Sequence, residues 1–177
     1  MILPDPQELR IELYPNPVLK KDCAPIERFD DELQRFAVGM VELMLRAKGV
    51  GLAAPQVGVS IKLFVCNSTG EPADSQIHIN PIFTELTGAT EIEEGCLSIP
   101  GVDVTMRRAT TAVMQTQDAH GQKKTMTTTD LLARIWQHEA DHLEGRLIVD
   151  NMSTSDEITN RKILKQLKAD YAAARKG

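Results

Sequence analysis

The central motif of this chain reads Gln-His-Glu-Ala-Asp-His-Leu-Glu-Gly, at residues 137–145. His138 and His142 are four residues apart, so in a helix both imidazoles lie on one face and can bind one divalent cation. Glu139 lies beside the first histidine and can reach a water molecule on that cation. The motif therefore indicates a metal-dependent hydrolase, provided that the segment is helical and that a third ligand exists.

The residues before this motif predict the helix that it requires. Apolar side chains recur there at Leu131, Leu132, Ile135 and Trp136. Asp130 stands where an N-cap residue is expected, so the helix should begin near it. Histidines on such a helix are partly removed from water, and a metal ion would satisfy them. The alternative is a pair of solvated or core histidines, because so short a motif also arises by chance.

Length and composition indicate one globular domain over residues 1–177. The chain shows no shift in composition and no long linker, and 42% of its residues are hydrophobic while 25% are charged. These values are ordinary for a soluble protein. No apolar run approaches the roughly 18 residues that a membrane span requires.

Charge and the amino-terminal sequence bear on partners and location. The net charge of −5 does not favour binding to a phosphate backbone or an anionic membrane. The first residues, Met-Ile-Leu-Pro-Asp-Pro, carry prolines and acids where a secretory signal has a basic patch and an apolar block. We therefore expect a cytoplasmic protein, with no membrane partner and no specific nucleic acid sequence as a ligand.

The three cysteines are too few and too scattered for a disulfide framework. Cys66 ends an apolar run and is predicted to be a core residue, whereas Cys23 receives no function. Cys96 lies between Gly95 and Pro100, in a segment where glycine frees the backbone. It is either a thiolate ligand of a metal ion or a small buried side chain, and its spacing alone leaves both open.

The pattern of apolar residues predicts an α+β fold, in which antiparallel sheets pack around a central metal-binding helix, with an N-terminal helix and a C-terminal helix. Residues 49–58 are rich in glycine, and taken alone they predict a tight turn. The outer helices are expected over 32–48, capped by Asp30 or Asp31, and over 155–176. The strands are expected over 61–66, 77–83, 102–106, 110–116 and 123–127.

Three segments together resemble a known family. They are Gly-Val-Gly-Leu-Ala-Ala-Pro-Gln at 49–56, Glu-Gly-Cys-Leu-Ser at 94–98 and Gln-His-Glu-Ala-Asp-His at 137–142. In this order they resemble the three motifs of the bacterial peptide deformylases. Each segment alone is a weak to moderate signal, but three in the same order leave little room for coincidence.

The resemblance implies a metal site and a reaction. Cys96, His138 and His142 would hold the metal ion, with a water completing its coordination. Glu139 would take a proton from that water and return it to the leaving amine. The substrate would be the formyl group on the N-terminal methionine of a newly made polypeptide, and formate would be released.

The same resemblance assigns roles around the substrate. Gln56 and the backbone N–H of Leu97 would stabilise the oxygen of the tetrahedral intermediate, which makes them catalytic residues with Glu139. Val50, Gly51 and Gly95 would contact the substrate. A formyl carbon carries only hydrogen on its far side, so a tight pocket can admit it and exclude internal peptide carbonyls.

The identity of the metal and three further contacts are also expectations. The resemblance implies Fe2+ in the cell, although by coordination chemistry one thiolate and two imidazoles suit Zn2+ at least as well, and Ni2+ or Co2+ could occupy the same ligands. Leu131 and Ile135 are a candidate wall for the methionine side chain. The ribosome is a candidate partner of the C-terminal helix, whose basic residues otherwise form an ordinary solvated face. Asp141 is expected to orient the site through Arg107 or Arg108.

Two other functions compete with this one. An HExxH endopeptidase would draw its third ligand from downstream of His142, where Glu144 is the near candidate. A protein with a purely structural metal would fill all four coordination positions with its own side chains.

Overall fold

A computed structural model describes residues 3–175. Three α-helices are present: α1 (Asp31–Arg46), α2 (Asp130–Leu143) and α3 (Thr154–Ala174). The strands are β1 (Gly51–Ala53), β2 (Leu63–Cys66), β3 (Gln76–Thr87), β4 (Thr90–Gly95), β5 (Asp103–Arg108), β6 (Thr111–Gln117) and β7 (Lys123–Thr129). The predicted α+β class, with its N-terminal and C-terminal helices, is confirmed.

Two antiparallel sheets surround the motif helix. Five strands pair in the order β1-β2-β3-β6-β7, and β4 pairs with β5 in a separate ribbon. Helix α2 packs against β1, β2 and β7. Its apolar face buries Trp136 completely, in a cluster that includes Phe64 and Met114 from the sheet. This packing fixes the rotation of α2 about its axis, and so determines the side to which the histidines point.

Helix α1 begins and ends by local hydrogen bonds. The side chain of Asp30 accepts a hydrogen bond from the Leu33 N–H at 3.0 Å, which satisfies one free donor at the helix start. At the other end the Gly49 N–H donates to the Met44 carbonyl at 2.9 Å, and Lys48 adopts a left-handed conformation with φ of 56°. The sequence predicted that Gly49 would end this helix, but Lys48 makes the turn.

Gly49 is required by close packing against Leu97 and not by the end of the helix. A Cβ atom there would lie 2.6 Å from Leu97 Cδ1, so a larger residue would push the two segments apart. Residue 49 therefore allows the first motif segment to approach the second.

Three local predictions were wrong. Residues 51–53 form the buried strand β1 and not part of a turn. The local sequence did not predict this strand because its partner, β2, lies more than ten residues away. Strand β4 was missed because it carries three glutamates, which are uncommon in strands. The N-cap of α2 is Thr129, and Asp130 is the first helical residue, with φ of 54°.

Helix α3 matches its prediction only in part. Ser153 and Asp156 form a capping box at its start. Leu164 and Leu167 pack against the apolar cluster beneath, but Ile158 is 73% exposed, so the apolar stripe is narrower than predicted. The predicted end at residue 176 lies outside the described residues. No helix within residues 3–175 has the length and apolar character needed to span a membrane.

Candidate active site

Three potential metal ligands converge at one face of α2. His138 and His142 come from adjacent turns, with ring centroids 5.0 Å apart, and Cys96 follows the end of β4. The Cys96 Sγ lies 3.3 Å from His142 Nε2, and one ligand atom from each residue lies within 4.8 Å of the others. Within residues 3–175 this is the one such group of His, Cys, Asp and Glu. Metal bonds of about 2.0–2.3 Å place tetrahedral ligand atoms at comparable separations, so these three residues fit one ion.

A buried ion-pair network anchors the first histidine. His138 Nδ1 lies 3.1 Å from Glu94 Oε2, and Arg108 donates two hydrogen bonds of 2.9 Å to the same carboxylate. Arg108 also donates to Asp141 at 2.6 Å, so Arg108, not Arg107, links that carboxylate to the site. Since Glu94 accepts from Nδ1, the neutral imidazole of His138 carries its lone pair on Nε2, the atom that could bind a cation.

Glu94 is ionised despite its burial. Burial raises its pKa, but the hydrogen bonds from His138 and Arg108 outweigh this effect and lower the pKa to about 2. The two imidazoles respond oppositely to their surroundings. The pKa of His138 is raised because hydrogen bonds to Cys96 and Glu94 outweigh burial, whereas burial and the neighbouring His138 lower that of His142. His142 is therefore neutral near pH 7 and has a ring nitrogen that could bind a cation.

Glu139 is a buried carboxylate without a partner at one oxygen. Its side chain faces the same space as the ligand group, the residue is 4% exposed, and Oε2 has no hydrogen-bond partner among the described residues. Burial raises its pKa to about 7. An unpartnered buried polar atom is costly, so this oxygen is suited to exchanging a proton with a bound reactant.

Gly51 makes room for that carboxylate. A Cβ atom on this glycine would overlap Glu139 Oε1. The family resemblance implies that Gly51 contacts substrate, and this stays a prediction. The structure shows that strand β1 lies directly against Glu139.

The Gln56 carboxamide is fixed at both ends. It lies in a single helical turn after β1, where Oε1 accepts from the Ala53 N–H at 2.8 Å. Its Nε2 lies 3.1 Å from Ser98 Oγ and 3.5 Å from Cys96 Sγ. The amide nitrogen therefore faces the ligand group.

These side chains line an open cleft of about 430 Å³. The apolar side chains of Val50 and Leu131 are 47% and 42% exposed. Gly95 is also restricted, since a Cβ there would lie 3.0 Å from Asp103 Oδ1. The cleft lining includes Gln56, Glu139, Leu97, Val50, Gly51, Gly95, Cys96, His138, Leu131 and Ile135. His142, which is 1% exposed, supplies the third potential ligand atom beside those of Cys96 and His138.

Sequence reasoning assigned no role to Ser98, Glu94 or Gln137, although all three lie inside the quoted motifs. Gln137 holds α2 in place, because its carboxamide donates to the Ala109 carbonyl at 3.0 Å and accepts from the Ala109 N–H at 2.9 Å. Its position directly before the first histidine was the available signal.

The remaining histidines and cysteines lie apart from the ligand group. His78 is buried between the rings of Phe64 and Trp136, at 4.9 and 5.1 Å. Burial raises the pKa of the Cys66 thiol to about 12 and that of Cys23 to about 11, so both stay protonated. The prediction that Cys66 is a core residue is confirmed.

Comparison with known proteins gives a consistent result. The family described as polypeptide deformylase matches residues 8–157. A peptide deformylase of Dictyoglomus thermophilum is 42% identical over 135 residues, which cover 76% of this chain and 86% of that protein. One from Thermodesulfovibrio yellowstonii is 38% identical over 162 residues, covering 90% and 98%. The crystal structure of a peptide deformylase from Legionella pneumophila superposes with a TM-score of 0.86 at 38% identity, covering 93% of this chain and 97% of that one.

Proposed function

The chain belongs to the polypeptide deformylase family, whose members are enzymes, and from this premise we propose that it removes the formyl group from N-terminal methionine of newly made polypeptides, releasing formate. The observation that carries the proposal is the convergence of Cys96 Sγ with two imidazoles beside the buried, unpartnered carboxylate of Glu139.

Cys96, His138 and His142 would hold one divalent cation. The fit rests on their mutual distances and on a donor set of one thiolate and two imidazoles, which suits first-row divalent metals. When bound, the cation would polarise the formyl carbonyl and lower the pKa of water. We propose Fe2+ in the cell, with Zn2+, Ni2+ or Co2+ able to take the same ligands. Loss of activity in air, prevented by replacing the metal with Ni2+, would support Fe2+, because a ferrous thiolate site is prone to oxidation.

Glu139 would act as the general base and then as the general acid. Its Oε2 takes a proton from the attacking water and delivers it to the leaving nitrogen, so that the amine departs neutral. A pKa of about 7 suits both steps, because a proton can be accepted and released near neutral pH.

Gln56 Nε2 and the Leu97 N–H would donate to the formyl oxygen as it gains negative charge. Both groups belong to rigid segments that line the cleft, so little reorganisation is needed when the carbon becomes tetrahedral. The substrate backbone would lie along Val50, Gly51 and Gly95.

Selectivity would come from the small space above the ligand group. Gly49, Gly51 and Gly95 each lie where a Cβ would meet another residue at 3.0 Å or less, so the walls are already in contact with each other. A formyl carbon bears only hydrogen and can enter, whereas an internal carbonyl brings a second substituent. Leu131 and Ile135 would contact the methionine side chain.

The endopeptidase and structural-metal alternatives agree less well with the observed contacts than the deformylase function does. The endopeptidase alternative needs a ligand downstream of His142, but Glu144 is 57% exposed and pairs with Arg146 at 2.6 Å. The structural-metal alternative needs a fourth protein ligand, and across residues 3–175 the potential ligand group has three members.

The cellular setting follows from the substrate. Formylated chains emerge from ribosomes in the cytoplasm, so we place the enzyme there, as one catalytic domain over residues 1–177. The exposed face of α3 is retained as a candidate contact with the ribosome.

Release of formate from formyl-Met peptides tests the proposal. Wild-type protein should release formate, and Glu139→Ala should lower kcat about 10²–10⁴-fold while keeping its metal, because that is the usual contribution of general acid–base catalysis. Glu144→Ala, which removes an exposed carboxylate of the same motif, is the matched control and should stay active. A metal-loaded wild-type protein that releases no formate would contradict the proposal.

A further inference from the structure

We propose that Ser98 is a positioning residue, whose hydroxyl directs one N–H of the Gln56 carboxamide away from the metal ligands and thereby aims the other at the substrate oxygen. This inference rests on the proposed function. Neither the sequence motifs nor the roles assigned above give this serine a task.

The carboxamide can point in only one way. The Ala53 N–H donates to Gln56 Oε1 at 2.8 Å, so the oxygen end must face β1 and the nitrogen end must face the second motif segment. Rotating the amide by 180° would bring two N–H groups together and leave a buried donor unsatisfied. This contact fixes the end of the amide that faces the cleft, but not the partner of each N–H.

Ser98 decides between the two available acceptors. Gln56 Nε2 lies 3.1 Å from Ser98 Oγ and 3.5 Å from Cys96 Sγ. With the Ser98 oxygen accepting one N–H, the second N–H makes only a long hydrogen bond of 3.5 Å to Cys96 Sγ, on the side of the cleft. Without that oxygen, the nitrogen would turn toward the sulfur, the remaining acceptor, and a thiolate accepts such bonds well.

Burial of both residues restricts the orientation of the Gln56 carboxamide. Ser98 is 0% exposed and Gln56 is 1% exposed, so no solvent competes for either group. In such a site a lost acceptor is not replaced by bulk water, and the orientation of the amide then follows the remaining protein contacts.

The backbone holds the two residues in a fixed relation. Residues 12–14 form hydrogen bonds with both segments. The Glu12 N–H donates to the Gln56 carbonyl at 2.8 Å, and the Tyr14 N–H donates to the Ser98 carbonyl at 2.9 Å. Two segments that are 42 residues apart in sequence are thus tied to one short piece of chain. The side-chain hydrogen bond is therefore made within a preorganised frame.

A misdirected N–H affects the transition state more than the bound substrate, because the oxygen accepts strongly only once it carries charge. Ser98→Ala should therefore lower kcat about tenfold and leave KM within about twofold. Gln56→Ala removes the donor and should lower kcat about 10²–10³-fold.

A double-mutant cycle on formyl-Met peptides tests the inference, using the metal-loaded full-length protein. Ser98→Ala should lower kcat about tenfold in the wild-type background but less than twofold in the Gln56→Ala background, because Ser98 acts only through Gln56. Ser98→Thr retains the hydroxyl and should restore kcat toward the wild-type value. Equal losses in both backgrounds would overturn the inference.

Two further measurements separate positioning from damage to the site. In the Co2+-loaded protein, Ser98→Ala should keep one ion per chain but shift the thiolate-to-metal absorption band, because the Gln56 N–H then donates more strongly to the Cys96 sulfur. Loss of the ion would indicate damage to the site, and an unchanged band would overturn the inference. Ser75→Ala is the matched control, since Ser75 accepts from the Asn67 carboxamide at 2.9 Å outside the cleft and should leave kcat unaltered.

The outcomes also distinguish this inference from the proposed function. A wild-type protein that releases no formate refutes the proposed function, whereas an active protein with equal losses in the cycle refutes only the role of Ser98. If Ser98→Ala fails to fold, Ser98→Gly takes its place with the same expected values.

Discussion

The carboxylate of Glu139 lies directly against the α-carbon of Gly51: a Cβ atom on this glycine would be 2.6 Å from Glu139 Cδ. The Glu139 carboxylate on α2 and strand β1 of the first motif are therefore in van der Waals contact. This contact excludes water from one side of the carboxylate and contributes to the burial that raises its pKa to about 7.

Gly51→Ala should displace the Glu139 carboxylate. We expect kcat to fall about 100-fold, since a misplacement of about 1 Å in a catalytic group has effects of that size. The free energy of unfolding should fall by about 1–3 kcal/mol, because the added methyl overpacks a buried contact. Formate release and urea unfolding measure the two effects.

The matched control for this change is Gly70→Ala. Gly70 has φ of 85° and no heavy atom within 4 Å of the added Cβ. Its substitution should cost about 1 kcal/mol through backbone strain alone and leave kcat unchanged. If Gly51→Ala were as active as Gly70→Ala, the close packing of Glu139 would have no catalytic role.

Arg108→Met should destabilise the protein and weaken metal binding together. Arg108 is 6% exposed and neutralises two carboxylates, Glu94 and Asp141. Its loss leaves the buried Glu94 carboxylate with His138 as its remaining partner, at a cost of about 3–5 kcal/mol. Metal affinity should fall about 10–100-fold, because Glu94 orients His138.

Arg146→Met is the comparison for that variant. Arg146 also pairs with Asp141, at 2.9 Å, but its side chain is 55% exposed. We expect it to change the unfolding free energy by less than about 1 kcal/mol and the metal affinity hardly at all. Equal effects of the two arginine variants would show that burial of the network is unimportant.

His78 should make the protein less stable at acid pH. Burial, with a smaller effect of Lys124, lowers its pKa from 6.5 to about 3. Between these values the unfolded chain binds a proton that the folded protein excludes, so the stability is fully present above pH 6.5 and is lost as the pH falls. From pH 7 to pH 5 the contribution is about 2 kcal/mol.

Urea unfolding of wild type and His78→Phe at pH 7 and pH 5 measures this contribution, since the effects of other groups cancel in the difference. The variant should lose about 2 kcal/mol less than wild type on acidification. His120→Asn removes an exposed imidazole and should behave like wild type. Identical pH dependence of His78→Phe and wild type would refute the assignment.

The helices were predictable from the sequence because the features that specify them are local. Apolar residues at helical spacing and the Asp30 cap define α1, and the same spacing places His138 and His142 on one face of α2. Each of these patterns is contained in a window of roughly 11–18 residues.

The parts that were missed depend on distant contacts. Strand β1 is specified by pairing with β2, as in the match of Gly51 with Cys66. Cys96 meets His142 across 46 residues, so its spacing from the HExxH motif does not predict the contact. The hydrogen bond from Gln56 to Ser98 likewise has no local signature.

X-ray absorption at the metal edge of the Co2+-loaded protein tests whether the three motifs build one metal site. The account predicts one ion per chain, with one sulfur neighbour at about 2.3 Å and two imidazole nitrogens at about 2.0–2.1 Å, and loss of the sulfur signal in Cys96→Ser. A wild-type spectrum with no sulfur neighbour, or one that Cys96→Ser leaves unchanged, would contradict it.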